Sequence, residues 1–388
     1  MKNSLLFLLY STLVLMLNGC SDNGYTPIPP NPSCNYNLSG HDRIFCIQET
    51  KDGGFIMAGS TESYPELGYE ALLIKVSTNL DCEWVKHLGG DYFDEAVYIR
   101  ELDDGFLILG RQWVVNKENT DIWLIRTNTS GDIIWEYTYG GPDNDYGVMF
   151  DITDEGKYFI TGKHGDYATL IMTDENGNKE WFYDSIECKN PCFGEKNSNG
   201  EFVIIGNHAY NDIKYVKVNL NGDIIDSKIL DFGHSETAQV ANKCGGGYII
   251  AGTTDFTPQT LKSGAILSKI DLEGNKIWDV AYSADDVGLC SVFQTHDGKY
   301  VFVGKSDDPT WADKWYCDGW FVIANPDGKK EFERYFEPPW GRYRSIKAVV
   351  QARDNNFVLV IVHSNMAVTE DISLIKLDEK GKNILIRK

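Results

Sequence analysis

A tight turn whose glycine is followed four residues later by an aromatic anchor, as in Asp271-Leu272-Glu273-Gly274-Asn275-Lys276-Ile277-Trp278, recurs through almost the whole 388-residue chain. The anchor positions are Trp84, Trp135, Trp181, Asp226, Trp278, Phe332 and Leu385, spaced 51, 46, 45, 52, 54 and 53 residues apart. A period of about 50 residues marks a stack of repeated supersecondary units, and it constrains the fold more than any composition value.

Each period carries a second landmark, a turn leading into an aromatic-led apolar strand that usually ends in glycine. Asp52-Gly53-Gly54-Phe55 to Gly59 is the first copy. Phe106 to Gly110, Tyr158 to Gly162, Phe202 to Gly206, Tyr248 to Gly252 and Tyr300 to Gly304 follow, and Phe357 to Ile361 closes the series without its glycine. Short alternating strands joined by Gly, Asp and Asn turns read as hairpins, four strands to a period. A four-stranded unit without helical periodicity cannot bury both faces alone. Radial stacking of seven units solves this, so the expected fold is an all-β, seven-bladed β-propeller with four antiparallel strands per blade; an eight-bladed ring is the alternative. The recurring tryptophan then reads as a wedge between blades. The segment around Cys34 to Gly40 precedes the first copy where a fourth strand would lie, so it is expected to pair with the last blade and hide a sheet edge.

Lys2 and the apolar run Leu5 to Leu17 read as an export signal, too short for the ~20 apolar residues of a membrane span. Leu17-Asn18-Gly19-Cys20 resembles the lipobox of bacterial lipoproteins. That resemblance implies cleavage before Cys20, acylation of Cys20 and a location on the bacterial outer membrane, periplasmic or surface-exposed. The expected organisation is a signal peptide over 1–19, a lipidated tether over 20–33, where four prolines stand among polar residues, and a propeller over 34–388. The repeats themselves resemble those of uncharacterised bacterial propeller lipoproteins, and their glycine-to-tryptophan spacing looks like the tryptophan-docking repeat of quinoprotein-type propellers. The likeness carries blade architecture; no quinone-site signature accompanies it, so no cofactor is expected.

The formal charge of −21, one unit more negative once Lys2 leaves with the leader, repels polyanions and argues against nucleic acid as a partner. Beyond Cys20 there are eight cysteines, with Cys188 and Cys192 the first pair to test for a disulfide and Cys46 and Cys290 read as small buried apolar residues. The histidines and cysteines show no spacing that implies a metal site. No nucleophile elbow or phosphate-binding loop appears.

In a propeller, the first-to-second and third-to-fourth strand turns share one face and the remaining connections share the other. The first set is uniformly short. The second varies in length and carries unusual residues, which is where function on a rigid scaffold is expected. Trp113 lies in one such connection. The densest holds Asp308, Trp311, Asp313, Trp315 and Tyr316, with Trp340 and Arg342 in the loop that follows. Rings beside carboxylates there could stack on sugars or anchor a protein partner; a self-packed lid is the structural alternative. A polar residue also recurs ten or eleven positions before each glycine landmark: Gln48, Arg100, Asp151, Glu195, Asn242, Gln294 and Gln351. These are read as lining the central channel, with Asp151 and Glu195 as a conceivable acid/base pair. The sequence thus points to a lipid-anchored extracytoplasmic binding or scaffold module for a glycan or protein, with a glycan-active hydrolase or lyase sited at the channel mouth as the alternative.

Overall fold

The computed structural model describes residues 41–387 apart from 63–67, 91, 117, 198, 209–211, 233–234, 256–263, 308–317, 337–342 and 365–369. The described chain is built of 27 strands in antiparallel meanders, each strand paired with its sequence neighbours within a sheet. Blade 1 comprises β1 (Asp42–Glu49), β2 (Phe55–Thr61), β3 (Glu70–Val76) and β4 (Cys82–Leu88). Blade 2 comprises β5 (Glu95–Leu102), β6 (Gly105–Val114), β7 (Asn119–Thr127) and β8 (Ile133–Tyr139). Blades 3 and 4 run through β9 (Asp145–Ile152), β10 (Tyr158–His164), β11 (Tyr167–Thr173), β12 (Lys179–Lys196), β13 (Phe202–His208), β14 (Asp212–Val218) and β15 (Ile224–Leu230). Blade 5 holds β16 (Glu236–Cys244), β17 (Gly247–Thr254), β18 (Gly264–Asp271) and β19 (Lys276–Ser283). Blade 6 holds β20 (Asp285–Gln294), β21 (Tyr300–Asp307), β22 (Asp318–Ala324) and β23 (Lys330–Phe336). Blade 7 holds β24 (Tyr343–Gln351), β25 (Phe357–Ser364), β26 (Glu370–Leu377) and β27 (Asn383–Arg387). The 18-residue β12 serves twice: its first half pairs with β11 as the outer strand of blade 3, and its second half pairs with β13 as the inner strand of blade 4. The chain is therefore an all-β, seven-bladed propeller of four-stranded antiparallel blades.

Strand alternation explains why no single core exists. Phe55 and Met57 of β2 face blade 7, where they pack with Val358 and Val360. Ile56 and Ala58, one residue along, face blade 2 and pack with Ile108 and Trp123. All seven residues of β2 are buried, because each face of the strand belongs to a different interface. Seven apolar clusters result, one between each pair of adjacent blades.

The repeat's glycine and its aromatic anchor act across these interfaces. The third-to-fourth strand turns of blades 2 to 7 are each held by their own Asx side chain, and that of blade 1 by Ser77 Oγ: Asp271 Oδ1, for example, accepts the N–H groups of Glu273 (2.9 Å) and Asn275 (2.8 Å). The turn glycine sits at positive φ, +79° at Gly131 and +77° at Gly328. A Cβ there would lie 3.1 Å from the Trp84 indole at Gly131 and 2.5 Å from the Trp278 indole at Gly328. The ring of each blade thus rests on the bare turn of the next. Trp135 lies on Gly177, Tyr183 on Gly222, Tyr215 on Gly274 and Phe332 on Gly381. The wedge reading holds, with two substitutions of player: Tyr183 stands over the turn in place of Trp181, and Tyr215 in place of Asp226. Tyrosine hydroxyls add a bond to the same turns, from Tyr215 to the Leu272 carbonyl (2.8 Å) and from Tyr282 to the Gly328 carbonyl (2.5 Å).

At the seam between blades 7 and 1 this arrangement is inverted. The anchor of blade 7 is Leu385, and the turn of blade 1 carries Leu80 where the other blades carry glycine. Leu80 is fully buried at φ +60°, and its side chain joins the cluster that holds Val358, Leu374 and Leu385. A side chain from the turn fills the place that an aromatic ring fills elsewhere. Polar ties reinforce the seam: Arg387 meets Asp81 (2.9 Å), and the Arg353 N–H donates to Glu49 Oε2 (2.9 Å). Blade 7 draws its fourth strand, β27, from the chain's own end; the expected pairing of Cys34 to Gly40 with that blade lies outside the described residues.

The cysteines depart from expectation. Cys188 and Cys192 are free thiols, as are Cys46, Cys244 and Cys290, while Cys82 is disulfide-bonded to a partner outside the described residues. Cys46 and Cys290 are half-buried rather than buried, because they border the central cavity. Desolvation around the sulfur pushes the Cys46 thiol up to about 11.

Two outcomes test this description. Changing Leu80 to glycine, the residue of the other turns, relieves about 1–2 kcal/mol of left-handed strain but empties a buried leucine site worth about 2–5 kcal/mol. Leu80→Gly is therefore expected to lower the thermal midpoint, and Gly328→Ala to lower it also, through strain of about 1–3 kcal/mol and the Trp278 clash. Calorimetry showing a rise in either variant would overturn the docking account. Alkylation of the denatured, unreduced protein should label Cys188 and Cys192 and spare Cys82.

Candidate functional site

The inner strands of all seven blades enclose an axial cavity of about 420 Å³. Its wall is polar and apolar in equal measure, with Phe45, Val97, Tyr98, Met149, Phe193 and Phe293 among the bordering side chains. Gln48, Asn242, Gln294 and Gln351 also border it, whereas Arg100, Asp151 and Glu195 are engaged between blades. Register separates two of these seven residues from the other five. Gln48, Arg100, Asp151, Glu195 and Asn242 stand opposite the residue after the leading aromatic of the second strand, namely Ile56, Leu107, Phe159, Val203 and Ile249. Gln294 and Gln351 stand one residue further on, opposite Tyr300 and Phe357 themselves. A one-residue step turns a strand side chain to the other face.

That step gives the two glutamines a structural task. Gln294 Oε1 accepts the Gly245 N–H (2.7 Å) and Gln351 Oε1 the His296 N–H (2.8 Å), each from the preceding blade. Glu49 and Glu101, at the same register, accept the N–H groups of Arg353 (2.9 Å) and Lys51 (2.6 Å). Four interfaces thus share one side-chain staple, a pattern hidden in the sequence by the mixture of Glu and Gln.

Asp151 and Glu195 reach the other way. Arg100 lies 3.1 Å from Asp151, which also accepts the Ile152 N–H (2.9 Å) and the Lys196 N–H (3.3 Å). Lys243 lies 2.9 Å from Glu195, whose carboxyl burial pushes upward against that lysine. Each carboxylate is matched by a cation from a neighbouring blade, an arrangement suited to joining blades.

The face bearing the variable connections carries a different kind of feature at blades 1 and 2. Tyr69, Phe93, Trp113 and Tyr92 form a contiguous run of rings. Tyr69 stacks on Phe93 at 5.7 Å between centroids, Phe93 meets Trp113 edge-on at 6.3 Å, and Trp113 tilts against Tyr92 at 5.8 Å. Tyr92 and Phe93 keep 46% and 47% of their surface in solvent, more than packing alone would leave to such rings. Arg43 lies over the Tyr69 ring at 5.0 Å.

The backbone beneath this run is fixed by one buried carboxylate. Asp94, 2% exposed, accepts the Gly90 N–H through Oδ2 (2.7 Å) and the Trp113 N–H through Oδ1 (2.9 Å), while its own N–H donates to the Tyr69 carbonyl (2.8 Å). Three connections are thereby tied at one residue. Burial raises the Asp94 carboxyl, and the two N–H donors oppose that rise. A pocket of about 160 Å³ opens between Tyr92, Trp113, Gln112 and Asp94, with Val115 at its rim. A second copy of the Gly-Gly-x-x-x-Asp pattern, Gly140 to Asp145, is used differently: Asp145 accepts the Gly141 N–H (2.9 Å) and pairs with His164 Nδ1 (2.6 Å), which occupies the register position of Gln112. Trp113 is legible from its place in a variable connection; the paired Gly-Gly-x-x-x-Asp motif is the sequence signal for Asp94 and the rings beside it.

Cys20 and the ring-and-carboxylate set Asp308, Trp311, Asp313, Trp315, Tyr316, Trp340 and Arg342 lie outside the described residues. The connection holding the first five of that set leaves β21 at Asp307 and returns at Asp318, joining second and third strands as the Trp113 connection does. Among the described residues no group of three or more His, Cys, Asp or Glu side chains is placed to hold a metal ion.

No protein-family model matches this sequence, and no curated protein matches it significantly. Solved structures do. The chain is similar to the Dos1 propeller (TM-score 0.52, 8% identity, 87% of this chain and 81% of that one). It is similar to the β-propeller domain of the Trilobed protease from Pyrococcus furiosus (TM-score 0.51, 11% identity, 90% and 98%). It is also similar to puromycin hydrolase (TM-score 0.53, 12% identity), where it covers 88% of its own length and 54% of that chain. At these identities the likeness establishes the β-propeller fold and nothing about chemistry.

Proposed function

We propose that this protein is a lipid-anchored extracytoplasmic binding propeller, held to the bacterial outer membrane through acylated Cys20 and the proline-rich tether that follows it. It presents its variable-connection face to a glycan or protein ligand. The asymmetry between the two faces carries the proposal. On the turn face the Asx side chains are spent on their own backbones, as Asp174 is on the N–H groups of Asn176 and Asn178. On the opposite face, rings stay in solvent above a rigid, hydrogen-bonded base. Rigid rings of low conformational entropy are the usual anchors of recognition surfaces. The tryptophans and carboxylates of the blade-6 connection, Trp311 and Trp315 foremost, are further candidate ligand contacts in this reading. The hydrolase or lyase alternative asks for uncommitted carboxylates at the channel mouth, and Asp151 and Glu195 already serve Arg100 and Lys243.

Anchoring and recognition are tested separately. The wild-type chain should fractionate with membranes and partition into detergent, and Cys20→Ser should move it to the soluble fraction; a membrane-bound Cys20→Ser chain would refute the lipid anchor. A ligand retained by the wild-type chain should be lost from variants of this face and kept by the turn-face variant Asn221→Ala, and the reverse pattern would refute the assignment of faces.

A further inference from the structure

Within that binding reading, on which this inference rests, we propose that the pocket between Tyr92 and Trp113 is a subsite for a neutral pyranose ring of a glycan. The lining decides the ligand class. A site for an aliphatic side chain would be walled by Leu, Ile or Met; here Val115 is the one aliphatic contributor, beside two rings, the Gln112 amide, the Asp94 carboxylate and the Gly90 backbone. That mixture matches a sugar, whose C–H face is apolar and whose rim is hydroxylated: the rings take the face and the amide can exchange bonds with the rim. The volume of about 160 Å³ admits one ring of that kind and little more. A protein interface of standard size would need about 800 Å² per partner with an apolar centre, and the pocket is far smaller.

Charge narrows the class further. Asp94, Glu95 and Glu70 stand around the ring run, in a protein of net charge −21; Arg111 pairs with Glu95 (2.8 Å), and Arg43 lies on the Tyr69 ring at the other end of the run from the pocket. A uronate or phosphate would face the Asp94 carboxylate, which is bonded to two backbone N–H groups rather than to a cation, whereas a neutral hexose or pentose would not be repelled by it. Preorganisation completes the argument. Asp94 holds the Tyr92 segment and the Trp113 strand in one geometry before any ligand arrives, which reduces the ordering cost of binding. From Trp113 the surface continues through Phe93 to Tyr69, so further sugar units of a chain would pass along the ring run.

The test is a titration of the purified full chain with four soluble neutral polysaccharides, a β-glucan, a galactomannan, a xylan and an α-mannan, and with polygalacturonate as the anionic comparison. At least one neutral polymer should bind. Trp113→Ala and Tyr92→Ala should each weaken it about ten-fold or more. Trp113→Phe should retain most of the affinity, and Tyr167→Ala, an isolated exposed ring on blade 3, should leave it unchanged. Unaltered thermal midpoints in the variants would separate lost binding from lost folding. Neutral-polymer binding that survives both alanine changes would overturn this subsite while leaving the binding function intact. Preference for polygalacturonate, or no binding to any of the five, would overturn the neutral-glycan assignment, and a protein ligand captured on the same face would then still satisfy the broader reading.

Discussion

The docking of an aromatic ring on a bare glycine turn is the contact on which this propeller depends. A blade of four strands has two apolar faces and cannot stand alone, so stability must come from its neighbours. Flat faces could slide past one another. The ring of one blade, seated where a Cβ of the next would intrude, fixes their offset at six interfaces, and only glycine meets both demands, positive φ and a missing side chain. The apolar clusters then supply the burial, and the Glu and Gln staples on the inner strands fix the geometry near the axis.

The seam shows the same constraint solved from the other side. With Leu385 in place of a ring, a glycine turn in blade 1 would face a void, and voids in packed interiors are costly. Leu80 fills it at the cost of a left-handed backbone. The exception to the repeat therefore marks where the ring closes, and it does so through packing and two ion pairs involving Arg387 and Arg353.

Function follows from where the repeat relaxes. On the turn face the Asx oxygens hold their own turns, and the axial carboxylates Asp151 and Glu195 meet cations from neighbouring blades. The opposite face carries the ring run of Tyr69, Phe93, Trp113 and Tyr92, held from beneath by Asp94. Its chemistry suits recognition: large rigid surface, a polar rim and a fixed backbone.

The period of the anchors, the glycine turns and the paired landmarks determined the blade number and the antiparallel meander, because local turn chemistry and strand alternation are written in adjacent residues. The same reading placed Trp113 on the variable face. Other features were decided only by the tertiary structure. The first turn of blades 6 and 7 is one residue longer than that of blade 2, so Gln294 and Gln351 stand opposite the leading aromatic and point to the preceding blade while Arg100 stands one residue off and points to the following one, and no spacing rule that tolerates ten or eleven residues can tell them apart. The ring run draws on residues up to 44 positions apart, Tyr69 to Trp113, and their meeting depends on how two blades stack. Sequence fixes which residues can turn and which can be buried; contacts between blades depend on register and offset, which arise only when the seven units pack together.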